Sequence, residues 1–108
     1  MTDLPDGLTR RPMTPEDVDA VTALIAACEI EDDGAAEIDR DDVASIFDRP
    51  YPFDVALDTS LVLDGETPVA WAELHRRRAE ADVHPSHRGR GIGAALASWS
   101  EERARAHG

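Results

Sequence analysis

The residues from Val83 to Gly93, Val-His-Pro-Ser-His-Arg-Gly-Arg-Gly-Ile-Gly, carry the most specific chemistry of the chain. Gly89, Gly91 and Gly93 leave alternate backbone positions free of side chains, so their N–H groups can converge on an anion. A helix opening directly after them would add the positive end of its dipole. Arg88 and Arg90 lie in the same turn. These features together suit the binding of a phosphate or pyrophosphate.

Other phosphate motifs do not fit. A Walker loop needs Gly-Lys-Ser/Thr, and the chain has no lysine. A dinucleotide fingerprint needs G-x-G-x-x-G near an opening βαβ unit, whereas here the spacing is G-x-G-x-G near the last residues given. Arg-Gly-Arg-Gly also suggests RNA contact, but a net charge of −12 is poorly suited to gathering nucleic acid. A glycine-rich loop that merely turns the chain is the bland alternative.

The spacing Arg88-x-x-Gly91-x-Gly93, with Val83 and Pro85 upstream and Leu96 downstream, resembles the acetyl-CoA pyrophosphate motif of the GNAT acyltransferase superfamily. The resemblance is close over residues 83–96 and looser in the element order of the rest. It implies acetyl-CoA as cosubstrate, with no metal, and direct transfer of the acetyl group to an amine. It further implies that the backbone N–H groups of Arg88, Gly89, Arg90, Gly91, Ile92 and Gly93 hold the pyrophosphate, with Arg88 and Arg90 adding charge. The backbones of Val83 and His84 would pair with the amide arm of pantetheine, and Gly93 would admit the cofactor close to the helix.

Acetyl transfer to an amine needs that amine neutral, so a base or a water chain must remove a proton. Glu80 and Glu73, ahead of Asp82, lie on the two strands nearest the expected thioester. Each could act directly or through water, and each could equally be part of a solvated strand face. His84 and His87 have suitable reference pKa values, although loop histidines are more often simply exposed. Arg76-Arg77-Arg78 reads as a solvated basic turn or as a contact to the 3′-phosphate of CoA. Trp71 and Trp99 read as core anchors, and Cys28 as a buried small hydrophobe.

The elements that would position these residues follow from pattern. Leu8 to Met13 is a short strand. Thr14-Pro15-Glu16-Asp17 is a helix start, with Thr14 as cap, proline in the first turn and acids at the positive end of the dipole. The helix runs to about Cys28, with Val18, Val21, Ile25 and Cys28 on one stripe. Glu29 to Asp42 is an acidic run that reads as a solvated loop. By resemblance it borders the acceptor site, where it would favour a cationic amine. Val43, Ile46 and Phe47 form a short helix face that Pro50 ends. Tyr51 to Asp58 is an extended lead-in to a strand over Thr59–Leu63. Asp64-Gly65-Glu66-Thr67 is a hairpin turn, and Pro68–His75 returns with Val69, Trp71, Glu73 and His75 on one face. Ala79–Val83 is a further strand. From about Gly91 to Ala106 the chain is helical, with Ile92, Ala95, Leu96 and Trp99 inward.

This order gives an α+β chain of GNAT type: a mixed, mainly antiparallel sheet flanked by helices. The family commonly continues to about 150 residues, an ordinary domain size. Residues 1–108 therefore read as a single, truncated GNAT domain lacking the usual C-terminal strands and fourth helix, to be completed by a C-terminal region or a homodimer partner. A non-catalytic CoA-binding or interaction half-domain is the rival reading, and a small acidic interaction domain with a purely structural glycine turn is a third.

Composition sets the outer bounds. A chain of 108 residues buries about two-thirds of its unfolded surface, enough for a modest core. No apolar run approaches the roughly 18 residues a membrane span needs, and the acidic N-terminus lacks the apolar core of a signal peptide. The single Cys28 excludes an internal disulfide and suits a reducing cytoplasm. Eleven arginines without a lysine suit a GC-rich bacterial genome.

Overall fold

The computed structural model describes residues 3–107. Four antiparallel strands form one sheet in the order β1-β2-β3-β4: β1 is Leu8–Arg11, β2 Thr59–Asp64, β3 Thr67–His75 and β4 Arg78–Val83. Helices α1 (Val18–Asp33) and α2 (Arg40–Ala44) cover one face, and α4 (Ile92–His107) covers the other. A one-turn helix, α3 (Val55–Asp58), leads into β2.

The pattern of apolar residues explains the two layers. On the first face Leu61, Leu63 and Trp71 meet Val18, Val21, Leu24 and Ile25 of α1 and Val43 of α2. On the second, Val62, Ala70 and Ala72 meet Ile92 and Leu96 of α4. Leu61 and Leu96 are fully buried, and each such side chain contributes about 1.5–3 kcal/mol.

Several element bounds and faces differ from those expected, and β1 ends at Arg11, short of Met13. The first helix continues past Cys28 to Asp33 and ends at Gly34, which takes the left-handed conformation (φ 87°) that glycine adopts without strain. The first acids of the expected loop are therefore helical, and Glu29 Oε1 accepts the N–H groups of Glu37 and Ile38. The expected extended lead-in is replaced at its end by α3. There Asp54 caps the helix by accepting the Ala56 N–H, and Asp58 accepts the Asp54 N–H. Val69 does not share the face of Trp71. A bulge between Val62 and Leu63 turns it onto the α4 side beside Ala70. The neighbouring Pro68 has no N–H to donate to the ladder, which favours such a break.

The hairpins match the sequence more closely. Gly65-Glu66 link β2 to β3 across the Asp64–Thr67 pair. Arg76-Arg77 link β3 to β4 across the His75–Arg78 pair, both with positive φ (54° and 65°). Arg78 itself begins β4 instead of belonging to the turn.

Below α3, the Asp58 carboxylate is 1% exposed and accepts Arg103 Nε at 2.7 Å, tying α4 to the lead-in of β2. Arg103→Leu removes a cation from beside a buried carboxylate. It should destabilise the fold by about 2 kcal/mol or more, with partial recovery on adding Asp58→Asn. Urea unfolding midpoints check this, and unchanged midpoints would show that the pair is energetically idle.

Candidate functional site

The ladder between β3 and β4 runs one residue past Val83, where the His84 N–H donates to the Val69 carbonyl at 2.8 Å. Pro85 then opens a single 3-10 turn, Pro85–His87, in which His84 Nδ1 accepts the Ser86 N–H. The Ser86 hydroxyl lies 2.8 Å from both His84 Nδ1 and His87 Nδ1. Gly89 and Gly91 follow with φ of 79° and 91°, a conformation costly for any residue with a β-carbon. α4 begins at Ile92, and the Ala95 N–H donates to the Gly91 carbonyl at 3.1 Å. The N–H groups at the very start of a helix have no acceptor within it, so α4 presents donors and a positive dipole end at this turn.

The turn forms one wall of a cleft of about 340 Å3, whose lining includes Asp82, Val83, Arg88, Gly89, Ile92 and Gly93, with Asp32 of α1 opposite. Gly93 is exposed and helical, and a β-carbon built on it meets no atom within 4 Å. No packing requirement within the described residues calls for glycine there.

Arg88 does not aim a free charge into the cleft. Its Nη1 and Nη2 donate to the two Asp32 carboxylate oxygens at 2.7 and 3.1 Å, and its Nε donates to the Val83 carbonyl at 3.1 Å. The Arg88 bond holds the Asp32 carboxyl below its ordinary range, and the same bond raises the already high guanidinium pKa. The Val83 carbonyl also accepts the Cys28 thiol at 3.2 Å, and burial pushes that thiol pKa up. Arg90 is exposed and makes no ion pair among the described residues. Of the residues expected to hold a cofactor, Val83, Arg88, Gly89, Ile92 and Gly93 line the cleft; His84, Arg90 and Gly91 flank it.

The expected catalytic acids share the sheet face that packs against α1 and α2. Glu73 and Glu80 are direct cross-strand partners, and Trp71 and Asp82 form the pair two residues along on the same face. Glu73 is 4% exposed and ion-paired with Arg49, whose guanidinium lies 4.9 Å over the Phe53 ring. Its carboxylate is thus compensated by a cation that sequence reading gave no means of assigning to it. Glu80 is exposed on β4. Asp82 accepts the Trp71 indole N–H at 2.8 Å. Burial, above all, raises its pKa, with Glu80 and Glu29 adding to the effect and the Trp71 bond opposing it. Of these three acids, Asp82 alone is among the residues lining the cleft.

Because folding raises the Asp82 pKa, ionising Asp82 costs stability as pH rises through its folded value, and acid pH relieves that cost. Asp82→Asn retains an oxygen for the Trp71 N–H and should be as stable as the parent or more so at neutral pH. The difference should vanish near about pH 3, where both side chains are neutral. Denaturant unfolding at the two pH values checks this.

The model of the Acetyltransferase (GNAT) family matches residues 19–108. No curated protein matches the chain. Among solved structures, the chain is similar to a GCN5-related N-acetyltransferase from Sphaerobacter thermophilus. The TM-score is 0.83 at 30% identity, over 97% of this chain and 34% of that one. A tandem GNAT protein of the clavulanic acid biosynthesis pathway matches with a TM-score of 0.73 at 28% identity, over 93% of this chain and 34% of that one. YncA of Salmonella typhimurium, solved with its cofactor acetyl-CoA, shares the fold with a TM-score of 0.71 at 19% identity, over 94% of this chain and 65% of that one. The chain thus spans about a third of the length of the first two. With the family model running from the first turn of α1 through the whole of α4, this chain belongs to the GNAT acetyltransferase family.

Proposed function

We propose that the chain binds acetyl-CoA, with the pyrophosphate against the Gly89–Gly93 turn and the first N–H groups of α4, and serves acetyl transfer to an amine. The observation that carries this reading is Gly93. It is a helical glycine in open space at a cleft and at a helix start, where its lack of a side chain serves no packing among the described residues. The acetyl-CoA held by the Salmonella relative supports the choice of ligand. Arg90 supplies the cation for the phosphates, and the end of β4 at Val83 and His84 runs beside the pantetheine arm.

In this reading the acceptor ammonium first loses a proton to a carboxylate, directly or through water. The neutral amine attacks the thioester carbonyl, a C–N bond forms, and the C–S bond breaks with CoA leaving as thiolate. The remaining amine proton passes to that thiolate. Glu80, exposed on β4, is the base we favour, with Asp82 beside it as a second acceptor. Glu73 contributes through Glu80: locked to Arg49, it adds no accessible proton acceptor of its own. Glu29, Glu80 and Asp82 would attract a cationic amine. One observation favours a second reading, in which the chain binds CoA without catalysis: the engagement of Glu73 by Arg49 leaves one of the two expected catalytic acids occupied. Completion of the acceptor site by a C-terminal region or a second copy belongs to the proposal.

Calorimetric titration with acetyl-CoA, with adenosine as control, tests the cofactor site. The parent chain should bind acetyl-CoA selectively. Gly93→Glu should fold about as stably, since an acid suits the positive end of a helix in its first turn, yet lose binding by more than about tenfold, or 1.4 kcal/mol. A folded parent that gives no binding heat, or a Gly93→Glu chain that binds equally well, would refute the site. Release of free thiol from acetyl-CoA with a panel of diamines separates the two readings. Turnover that falls at least about a hundredfold in Glu80→Gln supports catalysis, within the usual range for a general base. Binding without turnover supports the second reading.

A further inference from the structure

The last turns of α1 run against helix electrostatics. Glu29, Glu31, Asp32 and Asp33 crowd the C-terminal end with no base in the last turn, where the dipole disfavours negative charge. Asp32 is compensated from far away in the sequence. Arg88 closes a bidentate pair on it, the geometry in which guanidinium and carboxylate bind most strongly. The same arginine donates its Nε–H to the Val83 carbonyl, which also accepts the Cys28 thiol of α1. Each guanidinium nitrogen therefore has a protein acceptor. Through Arg88, the end of α1 holds both the end of β4 and the residue that starts the glycine turn.

The turn has little else to fix it. Gly89 and Gly91 are exposed, and no β-carbon built on them would touch a neighbour. A segment of this kind is ordered by what grips its ends, Ile92 on one side and, on the other, Arg88 together with His87, whose Nε2 lies 3.5 Å from Asp64 Oδ2 of β2. Ile92 is 1% exposed in the core, so the Arg88 end is where the turn can lose its shape.

We infer that Asp32 is a positioning residue for the cofactor site: by holding Arg88 it keeps the Gly89–Gly93 turn in the conformation that receives the pyrophosphate. The inference rests on the cofactor reading above. Preorganisation of this kind strengthens binding by removing the cost of ordering a loop. It opposes the simpler electrostatic expectation that an acid beside an anion site only repels the ligand. Pairing with Arg88 cancels that charge, and Arg90 remains as the arginine that meets the phosphates.

A double-mutant cycle on acetyl-CoA affinity tests this, using Asp32→Ala, Arg88→Ala and the double variant, each checked for folding by near-UV circular dichroism. Both partners are substantially exposed (39% and 54%), so global stability should change little. Each single change should weaken binding about tenfold, and the double change no further, as for residues acting as one unit. Asp32→Glu, which keeps the charge, should recover part of the loss. Unchanged or tighter binding by Asp32→Ala, or losses that simply add, would overturn the inference. A ligand-free arm separates this from failure of the cofactor reading. In Asp32→Ala, the amide order parameters of Gly89, Arg90 and Gly91 should fall relative to the parent. If the parent chain does not bind acetyl-CoA, the cofactor reading fails on its own. The order parameters then decide whether the Asp32–Arg88 pair holds the turn, which it does if they fall and does not if they stay in place.

Discussion

The seating of the first turn of α4 on the sheet is the constraint on which the site depends. Ile92 and Leu96 are buried against Val62, Ala70 and Ala72, and the two alanines let the helix lie close to the strands. Ile92 is the first helical residue. Its burial fixes where the free N–H groups of α4 begin, immediately beyond the end of β4. The nine residues from His84 to Ile92 must then connect a fixed strand end to a fixed helix start. They do so by one 3-10 turn and two left-handed glycines. A donor-lined concavity is the geometric consequence, and a core substitution at Ile92 would disturb it as surely as a change in the turn itself.

The chain carries a net charge of −12, yet its most specific feature is suited to an anion. Range reconciles the two. Exposed charges are screened beyond about 8–10 Å at physiological salt, whereas the backbone donors and the helix terminus act at hydrogen-bond distance. Within that range the acids nearest the turn are managed individually: Asp32 is neutralised by Arg88, and Asp82 is bonded by Trp71 and shifted toward its neutral form by burial. The exposed Glu80 lies farther back along β4, two residues before Asp82.

The glycine turn was legible because its residue types are dictated by backbone geometry. Left-handed φ at Gly89 and Gly91 leaves few alternatives, and the hairpin at Gly65 announced itself in the same way. The helix start at Thr14 was legible from its capping residues: Asp17 accepts the Thr14 N–H at 2.7 Å. What the sequence hid was long-range pairing. Arg49 with Glu73, Arg88 with Asp32 and Arg103 with Asp58 join residues whose partners no local spacing specifies. Among the described residues the role expected for the Arg88 side chain, a charge offered to the ligand, competes with a bidentate carboxylate that only the fold brings near. Local competition hid the rest. Acids that favour solvent still continued α1 as far as a glycine cap, and Asp54 drew an apparently extended segment into a turn of helix. The acids against the dipole of α1 were the one available signal that its end had a partner elsewhere.

In the proposed function the Gly89–Gly93 turn and the start of α4 receive the pyrophosphate of acetyl-CoA. Amide chemical shifts of the 15N-labelled chain, followed through a titration with acetyl-CoA and separately with inorganic pyrophosphate, test it most directly. The amides of Gly89, Gly91, Ile92 and Gly93 should move most with both ligands, while those of the Arg76–Arg77 hairpin stay in place. Shifts concentrated at that hairpin, or a folded chain whose glycine amides do not respond, would contradict it.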